Sequence, residues 1–174
     1  MSQALFLYIP AEVQFTQLVE DFTRSVCSSF IDAEVIHHDN IRMVMNELFT
    51  NSVKHTQTEQ VQIRMDVRTD TVKITLLDRG PGIMVKDQRP PYDQELIGHR
   101  EPFRRVLDGT VYLTVCSPEQ VRFTFENGGT FSDLHRLQGH GLGLSIVTKL
   151  MDQITCSTLT DGRSCWEIIK HIPR

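Results

Sequence analysis

The sequence predicts a two-layer α/β sandwich, with helices covering one face of a mixed, mainly antiparallel sheet. Three observations predict it. The element order reads strand, two helices, two strands, a long loop, a helix and two strands. Apolar residues recur every three or four positions in the helical segments and every second position in the strands. A length of 174 residues suits one core, so residues 1–174 are expected to form a single domain.

Residues 4–9 read as a short first strand ended by Pro10. Residues 11–30 read as a helix, with Val13, Leu18, Phe22, Val26 and Phe30 on one stripe. Asp39 is placed to cap a second helix running to about His55, whose apolar stripe is Ile41, Val44, Met45 and Leu48, closed by Ser52 and widened by Met43, Phe49 and Val53. Val61, Ile63, Met65 and Val67, then Val72, Ile74 and Leu76, alternate about Thr69-Asp70 and predict an antiparallel hairpin.

Residues 83–138 carry weaker signals. Pro90-Pro91 marks loop, and Glu101 to Leu107 reads as a short helix. Val111, Leu113 and Val115, then Val121, Phe123 and Phe125, flank Ser117-Pro118-Glu119 as a second hairpin. After Gly143, the spacing of Leu144, Ile146, Val147, Leu150 and Met151 predicts a short helix. Strands at 153–159 and 164–170 follow, turning at Asp161-Gly162, with Trp166 expected in the core.

Composition excludes several classes. Hydrophobic residues at 40% and charged residues at 23% are ordinary for a globular chain and rule out wholesale disorder. A net charge of -4 lacks the basic surplus of a nucleic-acid binder, so no nucleic-acid partner is expected. No apolar run approaches bilayer length, and Leu5 to Ile9 is too short for a signal-peptide core, so a cytoplasmic protein without a membrane partner is expected. Cys27, Cys116, Cys156 and Cys165 form no CxxC pair and have no zinc-ligand spacing; free thiols are expected. His37-His38 likewise lacks metal-ligand spacing.

Chemistry concentrates in three segments. Five of the ten glycines lie in 80–82 and 139–143, and glycine is costly unless the backbone needs unusual angles or close approach. Taken alone, Asp78-Arg79-Gly80-Pro81-Gly82 is equally well a turn. Gly139, Gly141 and Gly143 alternate and lead straight into a helix, where bare backbone N–H groups can cradle phosphate. His140, between them, is either a phosphate contact or an exposed bystander. A P-loop would need Gly-Lys-Ser/Thr where Gly143-Leu144-Ser145 stands, and a Rossmann fingerprint would need GxGxxG directly after a strand. Glu47 and Asn51 stand one helical turn apart on one face, flanked by Thr50 and Lys54. Alone, that is compatible with a solvated face. Chemically, an amide oxygen suits Mg²⁺, and a neighbouring carboxylate suits deprotonation of a hydroxyl.

Together the three segments resemble the superfamily of gyrase, heat-shock chaperone, histidine kinase and mismatch-repair ATPases (GHKL), known for the Bergerat fold, over nearly the whole chain. Asn46 to Asn51 resembles its N box, Asp78 to Gly82 its first glycine box, and Gly139 to Leu144 its second. The resemblance implies ATP and Mg²⁺ as cofactors, with Asn51 as the Mg²⁺ ligand and Glu47 as general base. It implies that Asp78 accepts from the adenine amino group and that Gly80 and Gly82 allow close passage of the chain. Gly139, Gly141, Leu142 and Gly143 would line the phosphates. Ser164 falls where the family often has a threonine near adenine.

Within the superfamily the sequence most resembles bacterial anti-sigma-factor serine kinases. The chain is nearly all catalytic domain, it opens strand then helix without room for a histidine-bearing dimerisation module, and Phe22 to Phe30 resembles the subfamily's first helix, with Arg24 at its partner-contact position. This implies a homodimer that phosphorylates a serine on a small antagonist protein, with a sigma factor as second partner. One departure stands out. Residues 83–138 are about twice the ATP lid expected of this subfamily, and loops of such length are commonly functional. The alternative is a nucleotide-gated adaptor that sequesters a partner without phosphoryl transfer. A sensor-kinase catalytic domain separated from its histidine module would need a partner that the chain does not supply.

Overall fold

The computed structural model describes residues 3–31, 35–128 and 143–172. Strand β1 is Gln3–Pro10. A 3₁₀ turn at Val13–Phe15 leads into helix α1, Thr16–Phe30, and helix α2 is Val35–His55. Strands β2, Gln60–Val67, and β3, Thr71–Asp78, form the first hairpin. A 3₁₀ turn at Gln94–Leu96 precedes β4, Arg100–Val106, β5, Gly109–Ser117, and β6, Gln120–Asn127. Helix α3, Gly143–Leu150, is followed by β7, Gln153–Thr158, and β8, Ser164–His171.

The eight strands form one sheet in the order β1-β2-β3-β8-β7-β6-β5-β4. All seven ladders are antiparallel, so the mixed character expected from the sequence is not seen among the described residues. Period-two alternation sends Val61, Ile63, Met65 and Val67 of β2 and Val72, Ile74 and Leu76 of β3 to one face. There they are buried with Ile41, Val44, Met45, Leu48 and Phe49 of α2. α1 packs on α2, and α2 on α3. The opposite face carries Arg64, Asp66, Lys73 and Glu167, with Arg64 paired to Asp66 and Lys73 to Glu167.

Local readings are corrected at four places. The buried residues of α1 are Val19, Thr23, Val26 and Cys27, whereas Val13, Leu18 and Phe30 of the expected stripe are exposed. Asp39 does not cap α2, which starts a turn earlier; it is exposed and pairs with Arg42 at 3.1 Å. Met43 is exposed and does not widen the buried stripe. Glu101 to Leu107, expected as a helix, lies mainly in β4 and pairs with β5 from Arg100↔Thr114 to Val106↔Gly109.

Residues 100–127, inside the long segment between the glycine boxes, thus extend the sheet by three strands. This wing joins through β6 to β7, from Gln120↔Ser157 to Phe123↔Ile154. All four cysteines are free, with Cys27 and Cys156 buried. No described helix is long and apolar enough to cross a membrane.

Candidate functional site

A cavity of about 320 Å³ opens on the helical side of the sheet. It is bounded by α2, the end of β3, the start of α3 and strands β4, β7 and β8. α2 presents Leu48, Asn51, Ser52 and His55, spaced as one helical face requires, and Thr56 follows directly after its last residue. Asp78, the last residue of β3, is only 3% exposed. Its Oδ2 accepts from Ser52 Oγ at 2.6 Å and its Oδ1 from the Gly80 N–H at 2.8 Å. Burial raises the Asp78 pKa above its ordinary value of 3.8, opposed by the Ser52 and Gly80 hydrogen bonds. Each carboxylate oxygen still has a lone pair for a ligand donor.

The β3–β8 ladder sets Ser164 directly opposite Asp78, and Ser164 Oγ donates to the Gly80 carbonyl at 3.1 Å. A Cβ at Gly80 would stand 3.0 Å from both Asp78 Oδ1 and Ser164 Oγ, so only glycine fits there without displacement. Gly82 has a φ of +73°, which favours glycine. The loop beyond it is held by Arg89, which donates to the Pro81 carbonyl at 2.9 Å, and by Tyr92, whose hydroxyl donates to the Ile83 carbonyl at 2.7 Å.

The N box and the second glycine box meet at Gly143. A Cβ built there would collide with Glu47 Oε2, and Asn51 Nδ2 lies 3.5 Å from the same point. The Glu47 carboxylate therefore packs on the first turn of α3. Glu47 is half-buried and stands one turn before Asn51, beside the cavity and not among the residues that line it. The structure thus brings Glu47, Asn51, Asp78, Gly80, Gly82, Gly143 and Ser164 to one place. Gly139, Gly141 and Leu142, with His140, lie outside the described residues. Arg24 is apart from the cavity, exposed on α1 and 3.5 Å from Asp21.

Sequence reading missed several contributors. Ser52 and Thr56 follow Leu48 at four-residue intervals, so their spacing could have flagged them; Ser52 was read only as the small end of the stripe. Phe103 and Arg104 on β4 gave no such signal, because their segment reads as helix. Trp166, expected in the core, packs against it but also lines the cavity, as does Cys156.

These groups fit a magnesium-bound adenine nucleotide. A buried acceptor faces a largely apolar cavity of ligand size, glycines keep side chains off its rim, and Asn51 supplies a neutral oxygen donor. The sequence model of the family described as histidine kinase-, DNA gyrase B-, and HSP90-like ATPase matches residues 36–171. No curated protein matches the chain.

Proposed function

The chain belongs to the histidine kinase-, DNA gyrase B- and HSP90-like ATPase family, an ATP-binding family of kinase and ATPase type, and from that premise we propose that it is a protein serine kinase and anti-sigma factor. Its substrate in this reading is a serine of a small antagonist protein, in a partner-switching circuit where a sigma factor competes for the same chain. A homodimer and a partner contact at Arg24 belong to the same proposal. The observation that carries it is the pairing of Glu47 with Asn51 against Gly143, beside the cavity that Asn51 and Asp78 both line.

Bound ATP·Mg²⁺ would supply the transferable γ-phosphoryl group and the charge that stabilises its transfer. Asp78 accepts from the exocyclic amine of the base, held in place by Ser52 and Gly80. Asn51 offers its amide oxygen to the metal. Glu47 takes the proton of the incoming serine hydroxyl, a role that needs a carboxylate oriented beside the metal ligand and open to an incoming side chain. Contact with α3 orients it, and half-exposure leaves it open.

The adaptor reading draws on the wing, whose outer strand β4 leaves one edge without a neighbour among the described residues. Glu47 weighs against it, since a pure binder needs no base. One assay separates the two. Labelled ATP is incubated with wild type or Glu47→Ala and a small antagonist protein. Wild type should form phosphoserine, and Glu47→Ala should form none while binding nucleotide within a few-fold of wild type. Transfer by Glu47→Ala at the wild-type rate would end the kinase assignment. Label kept as ATP by wild type, with the partner bound, would favour the adaptor.

A further inference from the structure

Three aromatic rings on alternate strands form a row across the wing and into the centre of the sheet. Phe103 of β4 meets Phe123 of β6 edge-on, with centroids 5.3 Å apart and planes at 75°. Phe123 stacks on Trp166 of β8 at 5.6 Å and 18°. Phe123 is buried at 3% exposure and is absent from the cavity lining, whereas Phe103 and Trp166 both line the cavity that holds Asp78. Phe103 sits at the one irregularity of the β4–β5 ladder, between Pro102↔Tyr112 and Arg104↔Val111. A bulge of this kind re-aims a side chain. The ring it re-aims is 40% exposed, more than core packing calls for.

We propose that Phe103 is a base-contacting residue, so that the inserted wing supplies part of the nucleotide site. An aromatic wall and a buried acceptor lining one cavity select a planar heteroaromatic base carrying an amine, the class to which adenine belongs. Phe123 holds the Phe103 and Trp166 rings in one row. The family motifs supply neither ring. This inference rests on the nucleotide reading given above and adds to it a residue from outside the motifs.

The chain's sole tryptophan is Trp166, so its emission reports directly on ligand entry. Wild type, Phe103→Ala and Phe103→Tyr are titrated with ADP and with adenosine, by calorimetry and by Trp166 emission. Phe103→Ala should weaken both ligands by the same factor, about five- to tenfold, as loss of one stacking contact predicts. Phe103→Tyr should bind as wild type does, and adenosine should change Trp166 emission in wild type. An unchanged Kd in Phe103→Ala, or a loss seen with ADP and not with adenosine, would overturn the inference and leave the nucleotide reading standing. Wild-type Trp166 emission unmoved by bound adenosine would do the same without any variant. A wild-type protein that takes up neither ligand would overturn both.

Discussion

Asp78 accepts two hydrogen bonds and still occupies a place that disfavours its charge. Its carboxylate is almost fully buried, and desolvation outweighs the help from Ser52 and Gly80. An acid whose pKa is raised by folding destabilises the native state once ionised. That penalty develops as pH rises through the ordinary value of 3.8 and is complete above the raised folded value. Asp78→Asn removes the ionisation while keeping the shape, and Ser52 Oγ can rotate to accept from the new amide. The variant should therefore gain thermal stability on wild type as pH climbs through this window and hold the gain to neutrality. Nucleotide affinity should fall at least about tenfold, the scale of one hydrogen bond to a charged group. Melting curves across pH, with calorimetry at neutral pH, check both. A stability difference that shrinks as pH rises would mean that the fold favours the ionised Asp78.

Between elements, the decisive contact is that of α2 with α3. Gly143 opens α3, and the room left by its missing side chain holds the Glu47 carboxylate. Alanine has the higher helix propensity, worth roughly 1 kcal/mol over glycine inside a helix. Its Cβ would meet the free end of a flexible side chain, which can swing aside without backbone strain. Gly143→Ala should therefore fold with an unchanged or higher Tm. Under the proposed kinase function, phosphoryl transfer should drop by about 100-fold, because a base moved by an ångström would no longer meet its proton. Thermal melts and single-turnover transfer measured on one preparation test this. Equal loss of stability and activity would mean that the contact is only structural. On its far side α3 is tied to the wing, where Lys149 donates to both oxygens of Asp108 at 2.6 and 2.7 Å and stands over the Phe125 ring. Lys149 also holds the Asp108 carboxyl below its ordinary range.

At the scale of the molecule, one antiparallel sheet carries both the cavity and the wing, and the rows of side chains on its helical face run through both. Such a sheet should unfold as one cooperative unit. Gly109, where β5 turns from β4, tests this. A Cβ there would strike the Glu126 carbonyl and approach the Phe125 ring to 2.5 Å. Overpacking of that kind costs about 1–3 kcal/mol, or roughly 2–12 °C in Tm for a chain of this size. Gly109→Ala should shift the transition seen by Trp166 emission and that seen by far-UV circular dichroism by the same amount. A Trp166 transition left in place while the dichroism signal moves would show that the wing melts alone.

Local periodicity was sufficient wherever one face of an element meets the core throughout. β2, β3 and the Asp161-Gly162 hairpin were legible for that reason, as was the pairing of Glu47 with Asn51 on one turn of α2. β4 was not legible, because an edge strand broken by a bulge shows no clean alternation and takes its conformation from β5. Nor was the α1 stripe, where packing against α2 chose Val19, Thr23, Val26 and Cys27 over larger apolar neighbours.

The sequence by itself determined the family motifs, the kinds of element and the groups able to do chemistry, because short-range spacing and backbone preference act within a few residues. Only the tertiary structure decided that Ser164 faces Asp78, that Glu47 rests on Gly143, and that Phe103 of the wing shares a cavity with Trp166. Those meetings join residues from about 60 to 100 positions apart, and strand pairing and the closure of helices over the sheet, not local preference, determine them.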